Sequence, residues 1–482
     1  MDPEEQKPQA AHVDEKSTSV GTDGGDHPVV DNETGRNLRR IDKRVMPVLC
    51  FTYALQYYDK ALLSQAAMFG MRADLDMMDG LRYSWASLIF YFGYMAGTYP
   101  ISLLAQRFPT RCVITAIYLL WGVVVLTTPA CKTFEHFMVN RFFLGLIEAG
   151  VSPMFMMVVG LRYIHAEQVS RSSWWYSFSG GSLLESPLIN YGLGHVSGGK
   201  LQPWQYMYFT AGAATLLWGV ALWWLFPDTP QLAKGFTDDE RKMILERVRR
   251  NNAGAENKRF KSYQFFEALA DYRLWGVCIL SIASCTGSGA VTTFSPIVFN
   301  GMGFTVFQSL LLNLPIGALA FICILGSGYI GQRVPNARFH IITISCLPVI
   351  IGCCLMWQLD DSKRAGRIVG FYLLNFFSSA WTRCIGLGTS NVAGHTKKAV
   401  YASATFNCVL LRQYCCSYAP RYGPSFTGIL VCFAVCCLCS VLLRFLLSRE
   451  NGRRDRQYGP TEFSQGLEDF TDKENKSFRY HL

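Results

Sequence analysis

The sequence predicts an all-α membrane protein with about twelve transmembrane helices, arranged as two pseudo-symmetric six-helix halves. Half of its 482 residues are hydrophobic (50%) and only 17% are charged, whereas soluble domains carry about 25% charged residues. The apolar residues run in blocks of about 20, the length that an α-helix needs to cross a bilayer. A soluble α-helical protein is the alternative, but its helices would be shorter and would keep a polar face.

Twelve apolar blocks follow one another in two sets of six, and the polar segment 227–273 separates the sets. The first set is Val45–Ala67, Trp85–Ala105, Cys112–Pro129, Phe137–Leu161, Trp174–Val196 and Gln205–Phe226. The second set is Leu274–Phe299, Val306–Ile330, Phe339–Trp357, Ile368–Gly388, Ala399–Tyr418 and Phe426–Leu447. These blocks predict an N-terminal half at 45–226 and a C-terminal half at 274–447.

The polar segments outside the blocks predict two tails and a linker. Residues 1–44 form a predicted disordered tail, and residues 448–482 form the C-terminal tail. In the linker 227–273, Thr237 and Glu240 make a capping box, which predicts a short amphipathic helix over Asp238–Arg250. A second turn or helix is expected near Tyr263.

The eleventh block is atypically short. Its apolar run, Ala399–Leu411, contains Asn407 and ends at Arg412, so it is short for spanning a bilayer. One explanation is an error in the gene sequence around Phe406–Ser417, such as a shifted reading frame or a misplaced exon join. The other is a divergent, tilted helix whose Arg412 reaches to the membrane surface.

Lysine and arginine concentrate in the tails, the linker and alternate loops. This asymmetry predicts that both termini lie in the cytoplasm. The formal net charge of +10 therefore reflects orientation in a lipid bilayer, and it gives no support to a nucleic-acid partner. Most of the 17 cysteines lie in apolar blocks, so no metal is predicted. The sequence has no glycine-rich phosphate loop, and neither a cofactor nor an enzymatic activity is expected.

Four stretches resemble the major facilitator superfamily and, more narrowly, the fungal allantoate permease family of anion:cation symporters. They are Arg40-Ile41-Asp42-Lys43-Arg44 with Gln56-Tyr57-Tyr58-Asp59-Lys60-Ala61, Asn140–Gly150, Phe226-Pro227-Asp228-Thr229-Pro230, and Asn391–Ala399. The resemblance implies a monomeric, multi-pass plasma-membrane transporter that moves a small organic anion, of carboxylate, vitamin or ureide type, with protons by alternating access. Two alternatives stand: an exporter of a fungal secondary metabolite, and a non-transporting or degenerate nutrient receptor.

Ionisable side chains inside predicted membrane helices are functional candidates, because a charge at the bilayer centre costs at least about 2.5–3.5 kcal/mol. Asp59 and Lys60 lie in the first block, and Arg141 and Glu148 lie seven residues apart on one face of the fourth. Lys60 and Arg141 are predicted to attract the anion, while Asp59 or Glu148 carries the coupled proton. The alternative is a fixed ion pair, Asp59–Arg141 or Lys60–Glu148, that joins the two helices.

Other polar or aromatic residues in the apolar blocks are candidates for lining a cavity. Arg383 is a candidate second anion contact, because an unpaired guanidinium is costly in a membrane helix. The remaining candidates are Gln56, Tyr57, Asn190, Asn313, Trp381, Thr382 and Asn391. The alternative for each is a hydrogen bond that packs one helix against another.

Overall fold

A computed structural model describes most of the chain, and its regular elements are all helical. The described residues are 32–78, 81–160, 162–163, 165–196, 199–226, 261–334, 336–360, 362–394, 396–397, 400–401, 404–405, 423–459, 471–476, 478–480 and 482. No strand occurs among them. The predicted linker helix Asp238–Arg250 and most of Ala399–Tyr418 fall outside these residues, so both stay predictions.

Each of the first six predicted blocks corresponds to one helix or one broken helix. The helices are α1 Asn32–Ala66, α2 Met71–Asp74, α3 Arg82–Arg107, α4 Thr110–Thr127, α5 Phe134–Glu148, α6 Val151–Gly160, α7 His165–Gly194 and α8 Pro203–Leu225. Short 3₁₀ turns, Ala67–Phe69 and Thr128–Ala130, follow α1 and α4. The fourth predicted block is the pair α5 and α6.

The second set of blocks has the same correspondence wherever it is described. The helices are α9 Ser262–Leu269, α10 Tyr272–Gly301, α11 Val306–Leu311, α12 Leu314–Arg333, α13 Arg338–Gln358, α14 Arg364–Leu373, α15 Phe377–Ser390 and α16 Gly423–Tyr458. The 3₁₀ turn Leu374–Phe376 joins α14 to α15. The helix expected near Tyr263 is α9, and the described residues of the eleventh block, 400–401 and 404–405, are helical.

The first helix is longer than the apolar pattern predicts. It begins at Asn32 instead of Val45, so residues 32–44 of the predicted disordered tail are helical. Ile41 and Val45 are buried while Arg39 and Arg40 are exposed, and this spacing makes the extension amphipathic. An apolar-block criterion misses such a segment because half of its surface is charged.

Seven of the described helical segments are long and apolar enough to cross a membrane. They are Thr110–Ala130, Phe134–Val159, Pro203–Leu225, Tyr272–Gly301, Val306–Arg333, Arg338–Gln358 and Phe426–Tyr458. The other described blocks correspond to α1, α3, α7 and α14–α15. All four contribute polar or charged side chains to a central cavity, which explains their lower apolarity.

Close helix packing depends on glycines at two places. On α3, Gly93 and Gly97 face the backbone of α5, and a Cβ at either position would collide with a carbonyl oxygen, of Phe142 or Leu146. Between the two halves, a Cβ at Gly317 of α12 would lie 2.6 Å from the backbone nitrogen of Leu184 on α7. Small residues at helix interfaces allow such close approach in membranes.

The bundle has two ends, which we call the tail end and the loop end. The tail end is where α1 begins and α16 ends; the loop end is where α1 ends and α3 begins. At the loop end, aromatic contacts join the halves: the Phe307 ring of α11 lies 4.1 Å from that of His195 and 5.6 Å from that of Phe69. The hydroxyl of Tyr83 on α3 also donates to the backbone oxygen of Thr293 on α10, at 3.1 Å.

Candidate transport cavity

A cavity of about 760 Å³ lies between the two halves. The first half contributes residues from α1, α3, α5, α6 and α7, and the second half from α10, α12, α13 and α15. Eight of the predicted site residues line it: Tyr57, Asp59, Lys60, Arg141, Glu148, Trp381, Thr382 and Arg383. The structure therefore brings residues from distant parts of the sequence around one space.

Lys60 and Glu148 form an ion pair across α1 and α5. Lys60 Nζ lies 2.8 Å from Glu148 Oε1, and the amide nitrogen of Gln56 donates to the same oxygen at 2.8 Å. Glu148 is fully buried, and its Oε2 has no hydrogen-bond partner among the described residues. The Lys60 ammonium also lies 4.9 Å from the centre of the Tyr57 ring. The Lys60–Glu148 alternative is thus formed in this structure.

Asp59 is a buried carboxyl group that has no hydrogen-bond partner among the described residues. It is 3% exposed, and neither carboxylate oxygen has a hydrogen-bond partner in the described part of the chain. Arg141 does not pair with it: the guanidinium donates to the Tyr208 hydroxyl and lies 5.0 Å from the centre of the Phe137 ring. A buried polar group without a partner is costly, and Asp59 differs from Glu148 in that both of its oxygens lack one.

The second half contributes a buried cation to the same cavity. Arg383 is 4% exposed, and its Nη2 donates to Ser173 Oγ on α7 at 2.9 Å. Its Nε has no hydrogen-bond partner in the region that the structure describes. Next to it, Trp381 Nε1 donates to the Tyr176 hydroxyl at 2.7 Å. Both hydrogen bonds cross from one half to the other.

Four predicted residues lie outside the cavity lining: Gln56, Asn190, Asn313 and Asn391. Gln56 donates to Glu148 Oε1, as described above. Asn190 accepts a hydrogen bond from the Tyr58 hydroxyl at 3.0 Å, and Asn313 donates to the backbone oxygen of Ser309 at 2.7 Å. Asn190 therefore joins α7 to α1, and Asn313, which also accepts from Ser295 Oγ of α10, joins α10 to the connection between α11 and α12.

Sequence reasoning missed the cavity residues of α7. Ser173 and Tyr176 contact Arg383 and Trp381, and Tyr176 also lies 3.5 Å from the Tyr57 hydroxyl, oxygen to oxygen. Ser172, Tyr176, Ser179 and Leu183 line the cavity at helical spacing, which places them on one face of α7. That polar face is a signal in the sequence, although it is diluted by serines elsewhere in the segment.

Basic groups outnumber acidic ones around the cavity. The described lining contains four basic side chains, Lys60, Arg141, Arg338 and Arg383, and two carboxylates, Asp59 and Glu148. Both carboxylates belong to the first half, so the excess of positive charge comes from the second half. Among the described residues, no group of three or more histidine, cysteine, aspartate or glutamate side chains could hold a metal ion.

Comparisons with known proteins agree on a single class. The family model described as Major Facilitator Superfamily matches residues 49–412. The thiamine pathway transporter of Saccharomyces cerevisiae is 32% identical over 451 residues, covering 92% of this chain and 86% of that protein. The allantoate permease of the same yeast is 30% identical over 476 residues, covering 93% and 87%.

A solved structure agrees with the fold. The D-xylose-proton symporter matches with a TM-score of 0.60 at 13% identity, covering 82% of this chain and 95% of that one. At this identity the likeness concerns the fold alone. Together these matches confirm the resemblance stated from the sequence motifs and the multi-pass membrane architecture.

Proposed function

The chain belongs to the Major Facilitator Superfamily, whose members are transporters and not enzymes, and from this premise we propose that it moves a small organic anion together with protons. The observation that carries the proposal is the excess of basic over acidic side chains in the cavity. Because charge is costly in a low-dielectric interior, a lining with two more basic side chains than carboxylates favours an anionic substrate. A carboxylate of ureide or vitamin type is small enough for a cavity of about 760 Å³.

In this proposal the two halves have different roles: one binds the anion and the other binds the proton. The second half supplies Arg383, which holds the anion, with Ser173 orienting the guanidinium through its 2.9 Å hydrogen bond. The first half supplies the proton-binding groups, Asp59 and Glu148. Arg141 and Lys60 contribute attraction for the anion when the acids are protonated.

Coupling would work through the Lys60–Glu148 pair. When Glu148 is ionised it engages the Lys60 ammonium at 2.8 Å, so the ammonium attracts an anion less. Protonation of Glu148 removes that competition, and the cavity then favours the anion by one more charge. Proton and anion therefore bind together more readily than either binds alone, which is a positive coupling free energy between two sites.

We propose further that the chain works as a monomer in the plasma membrane with its tail end in the cytoplasm. The support for this orientation is the concentration of lysine and arginine at the tail end. The predicted division into halves at 45–226 and 274–447 belongs to the same proposal, since alternating access requires two bodies that rock around a central site.

Uptake by purified protein in proteoliposomes tests the proposal. The probe is radiolabelled allantoate, with nicotinate, pantothenate and a dicarboxylate as parallel probes. Wild-type protein is expected to accumulate at least one of these anions, and Arg383→Ala is expected to lose that uptake. Arg449→Ala is a matched control, because Arg449 is exposed on α16 and lies outside the cavity lining.

Two results would contradict the proposal. Uptake of neutral or cationic solutes with no uptake of any anion would exclude the charge argument. Saturable binding of an anion without transport would instead support the receptor alternative.

A further inference from the structure

The C-terminal segment 471–482 packs against the tail end of the second half. Its described residues are 471–476, 478–480 and 482. Asp472 is fully buried, and so is Lys397, which follows α15. Lys397 Nζ lies 2.8 Å from Asp472 Oδ1, and Arg273 Nη2 of α10 lies 2.6 Å from Asp472 Oδ2.

This contact is one part of a buried ionic network with several elements. Lys397 also pairs with Glu267 of α9 at 2.8 Å and with Asp271, which precedes α10, at 3.0 Å. Arg454 of α16 donates to the backbone oxygens of Asp472 and Phe478, each at 3.0 Å. The Tyr480 hydroxyl donates to Asp472 Oδ2 at 2.9 Å. The segment is therefore held by charged hydrogen bonds from two helices, α10 and α16, and from the connection that contains Lys397.

The same segment reaches the cavity. Phe478 belongs to the cavity lining, together with Gly331, Gln332 and Arg338 at the tail end of α12 and the start of α13. The backbone oxygen of Leu482 accepts a hydrogen bond from the backbone nitrogen of Arg338 at 3.2 Å. Phe478 therefore lines the cavity from its tail end.

We propose that the C-terminal segment 471–482 is an autoinhibitory strap, in which Asp472 fastens the segment to Arg273 and Lys397 and Phe478 obstructs the tail-end mouth of the cavity. Release of Asp472 would free the strap and open the cavity toward the tail end. Elements that gate binding sites open locally while the rest of the fold persists, and here Asp472 joins the segment to both Arg273 and Lys397. The strap concerns access alone and would exist whichever solute the cavity takes.

Alkylation of a native thiol tests the strap without any substrate. Cys285 lines the cavity, and its alkylation by N-ethylmaleimide can be followed by peptide mass spectrometry on the full chain in lipid nanodiscs. Hydrogen exchange of residues 471–482, measured in parallel, reports release of the strap itself. Cys353 is fully buried and serves as an internal reference for loosening of the fold.

Three variants distinguish the role of Asp472, which holds the segment in place, from that of Phe478, which obstructs the cavity. Asp472→Asn is expected to raise the rates of hydrogen exchange of residues 471–482 and of Cys285 alkylation by about tenfold. This corresponds to a shift of about 1.4 kcal/mol in the opening equilibrium. Phe478→Ala is expected to raise Cys285 alkylation while leaving the ionic network in place. Lys473→Ala, an exposed neighbour in the same segment, is the matched control and should change neither.

If Asp472→Asn showed faster hydrogen exchange of residues 471–482 but unchanged Cys285 alkylation, the proposal would be overturned. If Asp472→Asn also raises alkylation of Cys353, the fold has loosened and Phe478→Ala decides; unchanged Cys285 alkylation in that variant overturns the proposal as well. Failure of anion uptake leaves these readouts unaffected, so the two proposals can fail separately.

Discussion

Glu148 Oε1 accepts from two side chains of α1 at once, with Lys60 Nζ and Gln56 Nε2 each 2.8 Å away. Lys60 and Gln56 are four residues apart, so both extend from one face of α1 toward α5. The buried carboxylate is thus held by one cation and one amide. Its protonation would weaken both contacts together, and this arrangement makes Glu148 the centre of the coupling proposal.

We expect the Lys60–Glu148 pair to show a measurable energetic coupling. Lys60→Ala leaves Glu148 buried without its cation, which should lower the unfolding temperature clearly, whereas Lys60→Ala with Glu148→Gln should recover part of that loss. Contacting buried residues typically couple by about 0.5–3 kcal/mol. Thermal unfolding of the two single variants and the double variant in detergent measures this coupling. Strictly additive effects would mean that the pair does not interact in solution.

Glu148→Gln is expected to uncouple transport from the proton gradient. The amide keeps the size of the side chain and its bond to Gln56 but cannot bind a proton at working pH. Anion exchange across the membrane should persist, whereas accumulation driven by an inward proton gradient should be lost. Glu135→Gln is the matched control, because Glu135 lies in the exposed first turn of the same helix. If Glu148→Gln accumulated the anion as well as wild type, a residue other than Glu148 would carry the coupled proton.

Arg383→Ala is expected to weaken anion binding more than it slows turnover. Truncating one partner of a buried, hydrogen-bonded charge pair typically costs about 2–5 kcal/mol, so the KM should rise by about thirtyfold or more. Arg383→Lys keeps the charge and should restore part of the affinity. Ser173→Ala, which removes only the orienting hydroxyl, should give a smaller effect. A raised KM in Ser173→Ala with none in Arg383→Ala would contradict the assignment.

The strap network should be insensitive to pH across the physiological range. Burial raises the pKa of Asp271, but hydrogen bonds and charge from Arg273 and Lys397 outweigh it and hold the pKa at about 2. Burial lowers the pKa of Lys397, yet the carboxylates of Asp472, Glu267 and Asp271 raise it above its usual value. Burial and the neighbouring Asp472 carboxylate also raise the pKa of Tyr480.

The signs of these shifts define a pH window. A depressed aspartate pKa stabilises the fold above its unfolded value of about 3.9, and a raised lysine pKa stabilises it below about 10.4. Hydrogen-exchange protection factors of residues 471–482 should therefore stay level from about pH 5 to 9 and fall outside that range. A decrease centred between pH 6 and 7 would show that another group controls the strap.

The apolar pattern was sufficient to predict the fold, because each described block became a helix within a few residues. The pattern missed three boundaries by nine residues or more: the starts of α1 and α7 and the end of α16. These three ends carry charged and polar residues, so none resembles a membrane segment, although all are continuous helix. Local periodicity, which the block criterion ignores, is what extends these helices.

The site was predictable only in part. Charged residues in membrane helices are conspicuous, so Asp59, Lys60, Arg141, Glu148 and Arg383 could be selected from sequence. Which cation meets which carboxylate depends on how α1 and α5 rotate against each other, and a single sequence does not contain that information. The sequence did not identify Tyr176, Tyr208 or Ser173 as candidates, because neutral polar residues are common in helix interfaces. The sequence did not predict the strap either, because partners such as Arg273 and Lys397 lie far from it in the chain.

The most direct test of the central claim is anion accumulation driven by an imposed pH gradient. Proteoliposomes containing the wild-type chain, with a basic interior and an acidic exterior, are given radiolabelled allantoate, nicotinate, pantothenate or a dicarboxylate at equal concentration on both sides. We predict that at least one anion accumulates inside above its starting concentration and that a protonophore abolishes this accumulation. Entry that stops at equal concentrations for every anion, with or without the protonophore, would contradict proton coupling.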